Sequence, residues 1–491
     1  MMNRSLLSRF LLLTFASAVV PIFSVAAPAE VSAVRHPNMG VCTHFGLLSY
    51  KWDLDRLLPL IDDLGVGWVR DEVYWAQVEP EKGRHVVPAH LKRWTDAMSA
   101  KGIRVILVFN GGHKAYEDRY DSVAYAKAAA FLTRELKGKV QVIEILNEPA
   151  NFGYSKFYGG KWNGWEANKT VSPWVSRYVT LINTAAKAIK AVDPEMKVIG
   201  LGSVAPVNFR QIQMGLVPEV DGIVDHPYSF RTVPELIPFA ASERIIERDG
   251  IATADRRGTF ASHMNMYREL AAKHGRPREL WLTEWGFPNH IEREAKQYAG
   301  YTPEAQAKYA LRRFAQCLGL GIEMSIWYDL WEDGNNPYEA EHRFGLLARD
   351  HTPKPVYHAV RRLARLMTPY SRRADIEVSV FVNNSRTDRW PIEWDGGRLE
   401  TSGAILTYAF ENKDGDVAVL AWSTERAGGD LQPRVVDLEI KLAGVSAQVE
   451  AVDLWTGESS LWGATAKGDR LMLKTLQLPA HPVALVFRKT R

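Results

Sequence analysis

From residue 37 to 368 the chain alternates short apolar runs with longer amphipathic stretches, the pattern of repeated strand and helix units around a parallel sheet. The apolar runs predict eight strands, over residues 40–45, 68–73, 104–109, 142–147, 198–201, 223–226, 280–284 and 324–328. Between them, helical periodicity is clearest over residues 53–64, 89–101, 121–137, 174–192, 259–273 and 303–318. Eight such units predict an α/β fold, a (β/α)8 TIM barrel over residues 30–368. Beyond Thr368 the texture changes to β-rich runs, over residues 377–382, 405–410, 417–423, 435–442, 447–454, 470–476 and 482–487, with a turn signal at Lys413-Asp414-Gly415. These predict a C-terminal β-sandwich over residues 369–491, an accessory domain beside a catalytic one.

Residues 1–29 have the layout of an export signal: Arg4 and Arg9 precede an apolar stretch, and Ala26, Ala27 and Ala29 supply small residues for cleavage. The apolar stretch, residues 10–25, is shorter than the roughly 20 residues that span a bilayer. The expectation is a periplasmic or secreted protein with no integral membrane span after signal removal. A net charge of +4 without a basic tract argues against a nucleic-acid partner. Only Cys42 and Cys317 are present, one in a strand-like run and the other in a helical one, and a disulfide between them is not expected.

Chemistry enters at two strand ends. Asn147-Glu148-Pro149 follows the fourth predicted strand and Glu284-Trp285-Gly286 ends the seventh. In a closed barrel of this kind the working groups stand at the C-terminal strand ends, so both carboxylates face one mouth. Cleaving a glycosidic bond takes such a pair, one group able to donate a proton and one able to stay ionised.

These residues resemble the motifs of the clan A retaining glycoside hydrolases. Residues 144–149 (Glu-Ile-Leu-Asn-Glu-Pro) are similar to the clan's fourth-strand motif and residues 282–286 to its seventh. Trp68-Val69-Arg70, with Trp75 and the following Glu79-Pro80, is similar to its second strand and loop. The Glu-Ile-x-Asn-Glu-Pro form with a C-terminal sandwich most resembles glycoside hydrolase family 39, which includes β-xylosidases, iduronidases and exopolysaccharide glycosidases. The resemblance implies double displacement on a β-linked or equivalently equatorial glycoside of an oligo- or polysaccharide. Glu284 would be the nucleophile and Glu148 the acid/base, with no cofactor. Glu148 should then be the more desolvated carboxyl, with a raised pKa, and Glu284 should be held ionised by hydrogen bonds.

Around this pair the expected substrate-binding residues are Arg70, Asn147, Tyr228, Trp327, His44, His113, His226 and Trp285. Arg70 is expected to donate to Glu284 or to form an ion pair with Glu144. Asn147 is implied by the resemblance to contact the sugar 2-hydroxyl. Trp327 is read as an apolar platform under the sugar, and His44 and His113 as hydroxyl contacts. His226 is read either as a contact or as a buried support for the Tyr228 loop. The aromatic loop from Phe152 to Trp165 and the group Asp329, Trp331, Glu332 and Asp333 are further subsite candidates. In the sandwich, Trp390, Trp394, Trp422, Trp455 and Trp462 fit packing against the barrel or glycan binding. Two other classes stay open: a carbohydrate-binding protein that has lost catalysis, and a metal-dependent hydrolase using the mouth histidines. No metal site is expected, because no His-x-His pair and no carboxylate at ligand spacing is visible.

Overall fold

The computed structural model describes residues 35–238, 243–383, 388–391, 398–401, 404–428 and 432–490, so the leader at 1–29 and Trp394 lie outside the described residues. Eight parallel strands close into a barrel in sequence order. They are β1 His36–Cys42, β2 Val66–Tyr74, β3 Arg104–Asn110, β4 Val142–Ile145, β5 Lys197–Ser203, β6 Gly222–Asp225, β7 Glu279–Leu282 and β8 Met324–Trp327. Pairing of Gly40 with both Trp68 and Ile326 joins β1 to its two neighbours and closes the ring.

Side chains alternate across each strand, so one set fills the barrel and the other meets the helices. Cys42, Trp68, Ile106, Val142, Ile199, Val224, Trp281, Met324 and Ile326 pack inside. Two tryptophans fit there, edge to face with centroids 5.8 Å apart, because small residues face them. A Cβ at Gly222 would lie 2.4 Å from the Trp281 ring, which is no room at all. The outward set, including Val41, Val69, Leu107, Ile143 and Leu282, belongs to the main core under the helices.

The helices begin and end where local chemistry says they should. Leu54–Leu64 starts on Asp53, whose carboxylate accepts from the Asp55 and Arg56 amides, and stops at Gly65 with φ 79°. Its buried Leu54, Leu57, Ile61 and Leu64 recur at helical spacing. Ala205–Met214 and Pro355–Met367 are additional helices that the periodicity left unresolved.

The C-terminal strands form two main antiparallel sheets. One orders Ser459–Gly463, Val445–Asp453, Val483–Lys489, Val417–Ser423, Ile405–Asn412 and Tyr370–Arg372; the other orders Val378–Val382, Arg434–Lys441, Arg470–Leu478 and Thr465–Lys467. Their inner faces share a core of residues such as Val419, Leu438, Leu473 and Phe487. The opposite face of the six-stranded sheet, through Phe410, Leu420 and Trp422, enters the barrel's core instead. There Trp422 is fully buried and donates to Glu235 Oε1 at 2.8 Å. Trp455 and Trp462 are partly buried against the two cores, and Trp390 belongs to the strand Asp388–Pro391. Cys42 and Cys317 are both buried and unpaired. Among the described residues no helix is long and apolar enough to cross a membrane.

Candidate active site

β4 stops at Ile145, and the next turns take unusual backbone: Leu146 has φ 61° and Glu148 φ 41°. Left-handed conformations of this kind are strained for residues with a Cβ, and the surroundings must hold them. Tyr178 donates to Ile145 O at 2.7 Å, the Leu146 amide donates to Phe109 O at 3.1 Å, and the Asn147 amide donates to Asn110 Oδ1 at 3.2 Å. The result carries Glu148 over the mouth. From β7, two residues past its end, Glu284 reaches the same space.

Between the two glutamates stands His226, just beyond β6. Its Nδ1 lies 2.8 Å from Glu148 Oε1 and 3.6 Å from Glu284 Oε2, and its Nε2 lies 3.0 Å from Thr283 Oγ1. The Thr283 hydroxyl donates to Glu144 Oε1 at 3.2 Å, so it accepts from the ring. Both ring nitrogens therefore face acceptors. Burial would lower the His226 pKa, but the nearby Glu284 and Glu148 carboxylates outweigh burial and hold it above the ordinary histidine value.

Arg70, inward-facing on β2, ties the other side together. It donates Nε and Nη2 to Glu144 at 2.8 Å each, Nη1 to Glu284 Oε1 at 2.6 Å and Nη2 to Asn147 Oδ1 at 2.8 Å. The two roles weighed for Arg70 are thus filled at once. Tyr228 donates to the second Glu284 oxygen at 3.3 Å. A continuous polar circuit runs Glu148, His226, Thr283, Glu144, Arg70, Glu284. Thr283 escaped the sequence reading because a threonine before the catalytic motif carries no chemistry of its own.

One expectation for Glu148 is overturned. Burial does push its carboxyl up, yet hydrogen bonds from His226 and Asn151 and the Arg70 charge outweigh that, and the pKa is lowered. The two shifts together favour an ionised Glu148 beside a protonated His226.

The remaining residues divide between the cavity and the core. His44, Asn147, Tyr228, Glu148 and Glu284 line a cavity of about 1000 Å³ that opens at the mouth. Trp327 does not: it is fully buried against Trp285 on the outer face of the barrel and donates to Phe344 O at 3.2 Å. The residue that turns inward and lines the cavity is its neighbour Tyr328. Trp285 is likewise core, donating to Ser325 Oγ at 2.9 Å. His113 is buried beneath the second-strand loop, its Nε2 2.6 Å from Glu79 O, with Trp75 and Tyr116 against its ring. It is a loop anchor, away from the cavity wall.

Of the aromatic loop, Phe152 and Tyr154 line the cavity, whereas Tyr158 donates to Asp118 and Trp165 lies under Arg210. Glu332 pairs with Arg343 and Lys354 at 2.7 and 2.9 Å, and Trp331 stacks on His351. Sequence reasoning missed Tyr50, Glu72, Tyr74, Tyr298 and Glu341, all on the cavity wall. Carboxylates do stand at ligand spacing, contrary to expectation. In the groups Glu148–His226–Glu284 and His44–Asp329–Asp333 one candidate ligand atom per residue lies within 4.8 Å of the others.

No family model matches the sequence, and no curated protein matches it. Among solved structures, the fold is similar to a family 39 glycoside hydrolase from the gut symbiont Bacteroides cellulosilyticus, with TM-score 0.66 and 22% identity over 94% of this chain and 83% of that one. It is also similar to a glucosidase from Croceicoccus marinus, with TM-score 0.55 and 14% identity over 93% and 96% of the two chains. A third is the catalytic domain of the GH30 xylanase C from Talaromyces cellulolyticus, with TM-score 0.52 and 12% identity over 93% and 97%. The chain shares the fold of a family 39 glycoside hydrolase, the family that its motifs resemble.

Proposed function

We propose that the protein is a retaining O-glycoside hydrolase acting on β-linked or equivalently equatorial glycosides of an oligo- or polysaccharide. The observation that carries this reading is the pair Glu148 and Glu284, facing one cavity with a carboxylate oxygen of each within 4.8 Å. Retaining pairs stand about 5–5.5 Å apart, and inverting pairs about 6.5–9.5 Å. Supporting it, the two environments differ: Glu284 is held by Arg70 and Tyr228, Glu148 by His226 and Asn151.

In the first half-reaction Glu284 attacks the anomeric carbon while the leaving oxygen takes a proton from Glu148. His226 supplies that proton to Glu148 through the 2.8 Å contact as it is passed on, which leaves Glu148 ionised and the imidazole neutral. In the second, Glu148 removes a proton from water, which displaces Glu284 with a second inversion, and the net result is retention. Arg70 keeps the attacking carboxylate oriented by one donor while its others stay on Glu144 and Asn147. This reading assigns catalysis to the barrel, a supporting part to the sandwich, and export to residues 1–29.

Proton NMR of early products tests the mechanism. Retained anomeric configuration is the expected outcome, and inversion sinks it. N-terminal sequencing of protein recovered outside the cytoplasm tests export, with cleavage expected after Ala26 or Ala29.

A further inference from the structure

The chain carries a formal net charge of +4, yet the wall of its cleft is rich in carboxyl groups. Glu72, Glu148, Glu284 and Glu341 line the large cavity, and no lysine or arginine lines it among the described residues. An adjoining cavity of about 340 Å³ shares Glu148 and Glu341, adds Asp225, and likewise has no lysine or arginine among its described lining residues.

The cations that come near are already committed. Arg70 directs its donors to Glu144, Glu284 and Asn147. His226 sits between Glu148 and Thr283. His44, also on the wall, is pushed down to about 4 by burial and is neutral near pH 7. Behind it lie two more carboxyls, Asp329 and Asp333, each 3.7 Å from its Nε2. Burial raises both, and repulsion by Asp333 adds to the rise at Asp329. Much of the rest of the wall is phenol and phenyl, from residues such as Tyr74, Phe152, Tyr298 and Tyr328, with Ser49, Asn110 and Asn147 as its neutral polar groups.

We infer that this cleft accepts sugar units without negative charge on both sides of the scissile bond and rejects uronic acids and sulfated sugars. The inference rests on the glycosidase reading above and adds the substrate class. A carboxylate on a bound sugar would meet Glu148 and Glu284 with no uncommitted lysine or arginine on the described wall, and Glu341, raised to about 7 by burial and by those two glutamates, adds part of a charge at pH 7. At a separation of about 6 Å and an effective dielectric near 20, one such meeting costs roughly a factor of 100 in binding. Neutral hydroxyls meet no such penalty, since carboxylates and phenols accept or donate hydrogen bonds to them.

Matched aryl glycosides differing only at C6 give the first test: 4-nitrophenyl β-D-glucoside against the β-D-glucuronide, and the galactoside against the galacturonide. The expected result is a kcat/KM at least about 100-fold higher for the neutral member of a pair that is cleaved. A uronide cleaved as well as its partner overturns the charge assignment and leaves the glycosidase reading intact. If no glycoside is cleaved, that reading is what suffers, and the charge assignment is decided separately. For that, protein labelled with 3-fluorotyrosine is observed by fluorine NMR at low salt and pH 7 with cationic 4-amino-TEMPO or anionic 4-carboxy-TEMPO added. Signals of the cavity tyrosines, assigned by Tyr74→Phe and Tyr298→Phe, should broaden several-fold more with the cation. Equal broadening, or more with the anion, overturns the proposal. The double variant Glu72→Gln, Glu341→Gln should narrow the difference.

Discussion

Two buried arginines in this protein make the same ion pair and serve different ends. Arg70, inside the barrel, grips Glu144 with two donors and gives a third to Glu284 at 2.6 Å. Arg312, on the helix Pro303–Leu320, grips Glu235 with two donors and gives others to the carbonyls of Glu425 at 2.6 Å and Thr424 at 3.0 Å. Both side chains are essentially out of water. What differs is the extra acceptor: a carboxylate on a cavity wall in one case, backbone of the sandwich in the other. A buried ion pair by itself therefore says nothing about function here. Function is marked by a surplus of carboxylates that open space can reach.

The largest effect that this contrast predicts is at the surplus carboxylate. Glu284→Gln should lower kcat/KM by at least about four orders of magnitude, the scale of losing a nucleophile, with the fold retained by circular dichroism. A residual activity within tenfold of the parent would remove Glu284 from that role. Glu148→Ala should be nearly as damaging on substrates with poor leaving groups. Azide, or an activated leaving group that needs no proton, should restore part of the rate.

Exchanging the two arginines for methionine separates the regions directly. Arg70→Met should cost stability and also about 10²–10³-fold in kcat, because the developing charge pattern at Glu284 loses its fixed partner. Arg312→Met should cost about 3–5 kcal/mol of stability, since it strands Glu235 without a cation in the interface. Its kcat/KM per folded molecule should stay within about twofold. Chemical denaturation paired with active-site titration reads both quantities, and a large activity loss in the Arg312 variant would erase the distinction.

A smaller effect concerns pH. The lowered Glu148 pKa stabilises the fold above the unfolded carboxyl value, and this is lost as pH falls through the folded one. The raised His226 pKa stabilises below the unfolded histidine value, and this is lost as pH rises through the folded one. Both contributions are present together between about pH 4.3 and 6.5. His226→Asn should remove this excess stability in that window and leave stability outside it closer to the parent. It should also lower kcat on the order of tenfold, the scale of one charge-assisted hydrogen bond. Without the imidazolium, burial prevails at Glu148, so the alkaline limb of the rate profile should move to higher pH.

How far the sequence carries depends on which physical signal each feature leaves. The barrel is legible because every unit repeats an apolar run and an amphipathic stretch, and the strand-end motifs are legible because Glu148 and Glu284 break the apolar pattern. Which way a strand-end residue points is far less so. Both faces of a barrel strand are buried, so β8 reads as one apolar run and hides its parity. The sequence therefore points to Trp327 as the sugar platform, whereas Tyr328 occupies the wall. At Trp285 a signal existed: with Glu284 turned inward, its neighbour had to turn out. The wall itself, from Tyr50, Glu72, Tyr298 and Glu341, comes from loops whose paths no periodicity encodes. The lowered pKa of Glu148 was illegible for a different reason, since it depends on a 2.8 Å contact made across 78 positions of sequence.

His113 gives the smallest and most discriminating check. It follows β3 at the mouth, yet only 6% of it is exposed and both ring nitrogens are engaged, one with Glu79 O at 2.6 Å and the other with the Ala115 amide at 3.1 Å. Glu79 in turn accepts from Trp75, Tyr116 and the Gly83 amide, so the histidine locks two mouth loops to each other. His113→Ala leaves a buried carbonyl without its partner and should cost about 1–3 kcal/mol of stability. Since the imidazole touches no cavity surface, KM should change by less than about twofold at temperatures where the variant is folded. A rise in KM of tenfold or more with unchanged stability would return His113 to the substrate, and with it the view that position at a strand end is enough to make a residue part of the site.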